Sequence, residues 1–78
     1  MKLTSDQIRA ARATLRWDQA DLTDKSGVSL ATIKRLEKMV GIVSANRVTI
    51  DAIVRAFEEA GIEFIDENGG GPGVRLRK

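Results

Sequence analysis

The side chains that most often carry out chemistry in proteins are missing from this sequence of 78 residues. It contains no histidine and no cysteine, which removes the usual general bases, the strongest nucleophile and the common zinc ligands. Its carboxylates show no spacing typical of paired acid/base catalysis. We therefore expect a protein that is not an enzyme and that uses no metal or other cofactor.

A glycine-rich stretch, NGGGPG at residues 68–73, is the one segment that could cradle a phosphate. A P-loop, however, needs a following lysine and a serine or threonine at the start of a helix. Here an alternating strand pattern follows, so the stretch is interpreted as a turn.

The positively charged side chains are the remaining residues that could bind a partner. The net charge is only +2, but residues 1–39 carry eight cations and five anions, whereas residues 58–67 carry five anions and no cation. Residues 74–78 add three more cations. Such a polarised surface makes nucleic acid a candidate partner for the basic part.

Four helices that could position these cations are predicted from apolar spacing and capping signals. Thr4 with Gln7 is a capping-box pattern, Asp18 and Ser29 are good N-caps, and Gly27 can end a helix in the left-handed conformation. The predicted helices run over 5–15, from the Asp18 cap to about 25, over about 30–39, and over about 46–60.

The third predicted helix has two different sides. Its apolar side contains Ile33, Leu36, Glu37 and Val40, and its polar side contains Ala31, Lys34, Arg35 and Lys38. The fourth helix has a single apolar stripe, formed by Ile50, Ile53, Val54 and Phe57. We also expect Trp17 to cover the core between the first two helices.

After Gly61 the period changes to strand alternation in IEFI (62–65) and VRLR (74–77), which predicts a β-hairpin. Glu63 should lie opposite Arg75 or Arg77 on its solvent face. The predicted fold is therefore mainly α, with residues 1–61 forming the helical domain and residues 62–78 a C-terminal hairpin extension.

Two short helices joined through a glycine turn form a helix-turn-helix, and the stretch QADLTDKSGVSLATIKRLEK at 19–38 resembles the Xre family of Cro and lambda-repressor-type DNA-binding domains. Gln19, Leu22 and Gly27 stand at the family's helix-start glutamine, buried leucine and turn glycine, and Val28, Ile33 and Leu36 stand at its core positions. The sequence departs from the family with Thr23 in place of a small alanine and with EKM at 37–39 in place of Glu-x-Gly. The resemblance implies a four-helix lambda-repressor-like helix-turn-helix domain, here followed by the hairpin.

The resemblance also implies which residues meet DNA. Arg35 is the strongest candidate base reader, since a guanidinium can bind guanine O6 and N7 together; its alternative is a solvated cation. Lys34 and Lys38 are expected to bind phosphates or simply to be solvated, and Leu30 could instead be buried. The full expected set is Gln19, Ser29, Leu30, Ala31, Thr32, Lys34, Arg35 and Lys38, with Asn46 and Arg47 as a second phosphate clamp.

Two charges lie inside apolar stripes, Arg12 in the first helix and Glu37 in the third. Each would be unfavourable to bury alone. We predict that they form a largely buried ion pair that fixes the first helix against the third, and the Xre family is similarly paired at these places.

The resulting functional prediction is a sequence-specific transcriptional regulator of double-stranded DNA, a repressor acting as a homodimer on a pseudo-palindromic operator. Its dimer contacts are expected from Ile62, Phe64, Val74 and Leu76. The alternatives are an antitoxin or controller-type subunit that also binds a partner protein, and a protein-interaction module without DNA binding. No apolar run is long enough for a membrane span, no effector pocket is indicated, and we expect a cytoplasmic protein.

Overall fold

A computed structural model of the chain describes residues 2–77. The predicted helical domain, 1–61, begins at Met1, and the predicted hairpin extension, 62–78, ends at Lys78. These two residues lie outside the described range. Within it the protein is mainly helical, with four helices followed by one two-stranded antiparallel sheet. The elements are α1 (Ser5–Leu15), α2 (Gln19–Ser26), α3 (Leu30–Glu37), α4 (Arg47–Glu59), β1 (Ile62–Ile65) and β2 (Gly73–Leu76).

The helix starts follow the predicted capping signals. Thr4 and Gln7 form the capping box of α1, and the Asp18 side chain accepts a hydrogen bond from the Asp21 backbone at the start of α2. Asp21 returns the interaction to the Asp18 backbone N–H, which makes a second capping box. Gly27 ends α2 with a φ of 77°, in the left-handed region that glycine adopts readily.

The end of α3 differs from the prediction. The helix ends at Glu37, not at 39, and Val40 is 98% exposed where it was expected on the buried side. The reason is a tightened last turn, in which the Lys38 and Met39 amides donate to carbonyls three residues back. This changes the rotation per residue. Gly41 then turns the chain with a φ of 78°.

One hydrophobic core holds all the elements together. Phe57 of α4 lies at its centre, with its ring centroid 5.6 Å from Trp17 and 5.9 Å from Phe64 of β1. Trp17 therefore covers the core as predicted, and it does so by stacking on α4. The buried apolar residues are Leu3, Ile8, Ala11, Leu22, Ile33, Leu36, Val43, Ile53, Ala56, Phe57 and Ile62.

The hairpin is attached to the helices by a buried amide. The Gln7 Nε2 group donates hydrogen bonds to the carbonyl oxygens of Ile65 and Gly73, each at 3.1 Å. Glu63 lies opposite Arg75 in the strand register, which is one of the two predicted pairings. Arg75 donates two hydrogen bonds to the Glu63 carboxylate. The hairpin and the helices thus share one core. No helix within residues 2–77 is long and apolar enough to cross a membrane.

Candidate nucleic-acid interface

Helix α3 begins after a three-residue connection that follows α2. Ser29 caps it, because its hydroxyl accepts a hydrogen bond from the Thr32 amide at 3.2 Å. The same hydroxyl donates to the Thr32 hydroxyl at 2.9 Å. The first turn of α3 is therefore fixed by its own side chains.

The inner side of α3 is held in the core. Ile33 and Leu36 are fully buried, and Glu37 is only 6% exposed. Leu22 of α2 is buried in the same core, so α2 and α3 pack against each other through apolar side chains. This packing leaves α3 little freedom to rotate about its axis.

The predicted ion pair between Arg12 and Glu37 is confirmed. The guanidinium of Arg12 contacts the carboxylate of Glu37 through Nε and Nη2, each at 2.7 Å, in a two-pronged arrangement. The Nη1 group of Arg12 donates to the carbonyl of Trp17 at 3.0 Å. The hydrogen bond to Glu37 is the largest influence on Arg12 and raises the pKa of its guanidinium above the ordinary value. Glu37 is thus a buried charge with its counterion in place, and the pair joins α1, the α1–α2 connection and α3.

Two further side chains complete this network around the end of α3. The Gln19 side chain donates to Glu37 Oε1 at 3.1 Å. Arg9, which the sequence interpretation did not single out, donates to the backbone carbonyl of Glu37 and pairs with Asp6. The sequence could have indicated Arg9, because Arg9 lies one turn before Arg12 on the same helix. The carboxyl end of α3 is therefore held by three polar side chains from α1 and α2.

The outer side of α3 carries a basic surface. We use the name basic face for its exposed residues Ala31, Lys34, Arg35 and Lys38. Within residues 2–77, none of the three cations of the basic face has a carboxylate within 4.0 Å. Ala31 is the small residue among them, so the backbone of α3 is accessible at its first turn.

The remaining residues expected near DNA on α3 lie at the margins of the basic face. Ser29 is exposed at the amino end, and Thr32 is half-buried. Leu30 is 37% exposed, so it is neither a core residue nor a fully solvated one. The structure thus brings Ser29, Leu30 and Thr32 together with the basic face on one helix.

The outlying candidate residues occupy different surroundings. Gln19 is half-buried, and its side chain is turned inward to Glu37. Asn46 caps α4 by accepting a hydrogen bond from the Thr49 amide at 2.8 Å. The side chain of Arg47 is 92% exposed and stands 3.8 Å from Asp51, a weak contact at that exposure.

The four residues expected at a dimer contact are unequally accessible. Ile62 is fully buried in the core of its own chain, and Phe64 and Val74 are half-buried against that core. Leu76 is 40% exposed. Because the side chain of Ile62 is covered by its own chain, it offers no surface to a second copy.

Thr23, where the sequence departs from the Xre pattern, has a structural consequence. Its hydroxyl oxygen is buried and has no hydrogen-bond partner among the described residues. A buried hydroxyl without a partner destabilises a fold by about 1 to 3 kcal/mol. The small alanine of the family pattern would avoid this effect.

Across residues 2–77, no group of three or more acidic, histidine or cysteine side chains is close enough to hold a metal ion. A comparison of the sequence with models of known protein families and with curated proteins finds no match.

Proposed function

We propose that the protein is a sequence-specific double-stranded DNA-binding regulator that places α3 in the major groove. The observation that carries the proposal is the division of α3 into a fixed inner side and an exposed basic face. A DNA-reading helix needs both features, because its side chains must reach base edges from a rigidly held backbone. The resemblance of residues 19–38 to the Xre family supports the same assignment and implies a helix-turn-helix made of α2 and α3.

Within this proposal the cations of the basic face have different roles. Arg35 reads a base, because its planar guanidinium can donate two parallel hydrogen bonds to guanine. Lys34 and Lys38 bind phosphates, which orients α3 on the duplex without reading sequence. Arg47, at the start of α4, adds a weaker phosphate contact.

The Arg12–Glu37 network has a positioning role. It fixes the carboxyl end of α3 against α1 and, in this proposal, contributes no contact with DNA. Gln19 belongs to this network through its side chain. Its backbone amide, at the start of α2, has no hydrogen-bond partner among the described residues and binds a phosphate in this proposal. The mode of regulation in this proposal is repression, because a domain bound in the major groove of a promoter occludes it.

The test is selection of bound sequences from a random pool of double-stranded DNA, repeated with the Arg35→Ala variant. We expect the wild-type protein to select a pseudo-palindromic sequence and the variant to lose the preference at one base pair in each half-site. An Arg35 that reads a base contributes about 1 to 3 kcal/mol to that discrimination.

Arg55→Ala is the matched control. Arg55 is an exposed cation of α4 without an ion-pair partner among the described residues, and it lies outside the basic face. We expect the selected sequence to be unchanged in this variant. If Arg35→Ala weakens binding to all sequences equally, Arg35 is a phosphate contact; if the wild-type protein selects no sequence, the proposed function is wrong.

A second candidate function is favoured by one observation. Val40, Ile42 and Val48 are 98%, 57% and 78% exposed, and all three lie within the short stretch 40–48 that follows α3 and enters α4. Exposed apolar side chains of this size suit a protein partner, as an antitoxin or controller-type subunit would have. Co-purification of a defined second polypeptide, lost on substitution of Val40 and Val48 by serine, would support this alternative.

A further inference from the structure

A groove lies between the amino-terminal segment, the connection after α3 and the loop of the hairpin. Its volume is about 480 Å³. Sites for small molecules in proteins have volumes of roughly 300 to 1,000 Å³, so this groove is large enough for one. Its lining residues are Lys2, Thr4, Ile42, Asp66, Glu67 and Pro72. Because they come from three separate parts of the chain, the sequence indicated no such site.

The first wall of the groove is a short antiparallel pairing in which Thr4 lies opposite Ile42. Facing residues of such a pairing present their side chains on the same side. Lys2 lies two residues before Thr4, so strand alternation places its side chain on this side too, while Leu3 between them is buried. The first wall therefore carries one cation, one hydroxyl and the side chain of Ile42, which is 57% exposed.

The second wall is the loop of the hairpin. Asp66 and Glu67 follow β1, and Pro72 precedes β2. The Glu67 carboxylate accepts hydrogen bonds from the Gly69 and Gly71 amides at 3.1 Å and 3.2 Å, which holds the loop in its shape. Asp66 is exposed and has no ion-pair partner within residues 2–77. This wall therefore offers an unpaired carboxylate together with the ring of Pro72.

Gln7 joins the two walls, so the groove is formed before any ligand binds. Its Oε1 atom accepts a hydrogen bond from the Thr4 amide at 3.0 Å. Its Nε2 group donates to the carbonyls of Ile65 and Gly73, which lie at the two ends of the loop. A site whose walls are already held in place loses little conformational freedom on binding.

The two walls carry opposite charges that do not meet. Among the described residues, Lys2 has no carboxylate within 4.0 Å and Asp66 has no cation within that distance. A ligand between the walls satisfies both charges only if it carries an anion for Lys2 and a cation for Asp66. Ile42 and Pro72 add one apolar side chain on each wall, which suits an aliphatic body between the two charged ends.

We propose that this groove binds a short aliphatic peptide with free amino and carboxyl ends. The ammonium group of the peptide pairs with Asp66, its carboxylate pairs with Lys2, and its side chains cover Ile42 and Pro72. A dipeptide fits better than a single amino acid, because its charged ends are farther apart and it has a side chain for each wall. None of these residues belongs to the basic face, so the site is independent of the proposed contact with DNA.

The experiment is a titration of the full chain, labelled with nitrogen-15, with the dipeptide leucyl-leucine, followed by NMR without DNA. We expect saturable shifts of the amide signals of Thr4, Ile42 and Asp66. Acetylation of the amino end, or amidation of the carboxyl end, should each raise the Kd by about threefold to fivefold, because each removes one exposed ion pair. Glycyl-glycine should bind about tenfold more weakly, because it buries no aliphatic side chain.

Substitutions in the two walls assign each end of the peptide to its partner. Asp66→Asn should bind leucyl-leucine and its acetylated form equally, and Lys2→Gln should bind leucyl-leucine and its amide equally. Asp24→Asn and Arg55→Gln are the matched controls, because they remove the same charges at exposed positions on α2 and α4, outside the groove. Both controls should keep the preferences of the wild-type protein.

Four results would overturn the proposal. The first is the absence of saturable shifts, and the second is a preference for the free ends that survives both wall substitutions. The third is binding of free leucine as tight as that of the dipeptide. The fourth is equal binding of leucyl-leucine and its doubly blocked form, which would identify an internal segment of a partner protein as the occupant instead.

Discussion

Among the described residues, two of the arginine–carboxylate pairs have the same chemistry in opposite surroundings. Arg12 and Glu37 meet in the interior, with 19% and 5% of their side chains exposed, at distances of 2.7 Å. Arg75 and Glu63 meet on the outer face of the hairpin, with 65% and 38% exposed, at 3.1 Å. Both pairs are two-pronged, so the difference between them is the access of water.

That difference decides what each pair can do. Water screens the hairpin pair and also solvates each partner when the other is removed. The loss of this pair therefore lowers the stability of the fold only slightly. The interior pair has no such compensation, since removal of one partner leaves the other charge beside an apolar core. The interior pair therefore acts as a positioning device for α3, whereas the surface pair only favours the strand register that the apolar side chains already select.

The largest expected effect comes from breaking the interior pair on one side. Glu37→Ala leaves the Arg12 guanidinium without its counterion and Gln19 without its acceptor. We expect the free energy of unfolding to fall by about 3 to 5 kcal/mol, measured by urea denaturation followed by circular dichroism. This is a large part of the stability of a domain of this size.

Replacing both partners is the matched control for this variant. Arg12→Met with Glu37→Leu removes both charges and keeps apolar volume, so much of the lost stability should return. If Glu37→Ala unfolds at the same urea concentration as the wild-type protein, the interior pair does not hold α3 in place.

The smallest expected effect comes from the surface pair. Hydrogen bonding by Arg75 holds the pKa of the Glu63 carboxyl below its ordinary value of 4.5. A carboxyl with a lowered pKa in the folded state stabilises the fold at pH values above 4.5, and this contribution is lost as the pH falls through the folded-state pKa. We expect Glu63→Gln to lower stability slightly at neutral pH and to match the wild-type protein in strong acid.

The measurement is a set of urea denaturation curves of both proteins between neutral pH and about pH 2. The difference between the two curves should be constant above about pH 5 and shrink below it. A loss of stability as large as that of Glu37→Ala would show that exposure to water does not determine how much each pair stabilises the fold.

The helices were largely predictable because their signals are local. Capping residues such as Thr4, Asp18 and Ser29 act on amides within the next turn, so the sequence alone located the helix starts. The Arg12–Glu37 pair was also predictable, since an isolated charge in each of two apolar stripes requires a partner. The first prediction rests on interactions within a single turn, and the second on the large cost of burying an unpaired charge.

The features that escaped prediction depend on contacts distant in sequence. The segment that follows α3 is held by backbone hydrogen bonds between Ser5 and Gly41 and between Val43 and Leu3, which no local pattern shows. The attachment of the hairpin by Gln7 and the inward turn of Gln19 are of the same kind. Ile62 was expected to face a second copy because strand alternation identifies an apolar face without identifying what covers it.

The central claim is that the basic face of α3 binds DNA while the interior pair only positions it. The most direct test is the salt dependence of affinity for the selected sequence, measured by fluorescence anisotropy for the wild-type protein, Lys34→Ala/Lys38→Ala and Arg55→Ala. Each phosphate contact contributes about −0.9 to the slope of log affinity against log salt. We predict that the double variant loses about two units of slope while its urea midpoint is unchanged, and that Arg55→Ala keeps the wild-type slope. An unchanged slope in the double variant, or no salt-dependent binding by the wild-type protein, would contradict the claim.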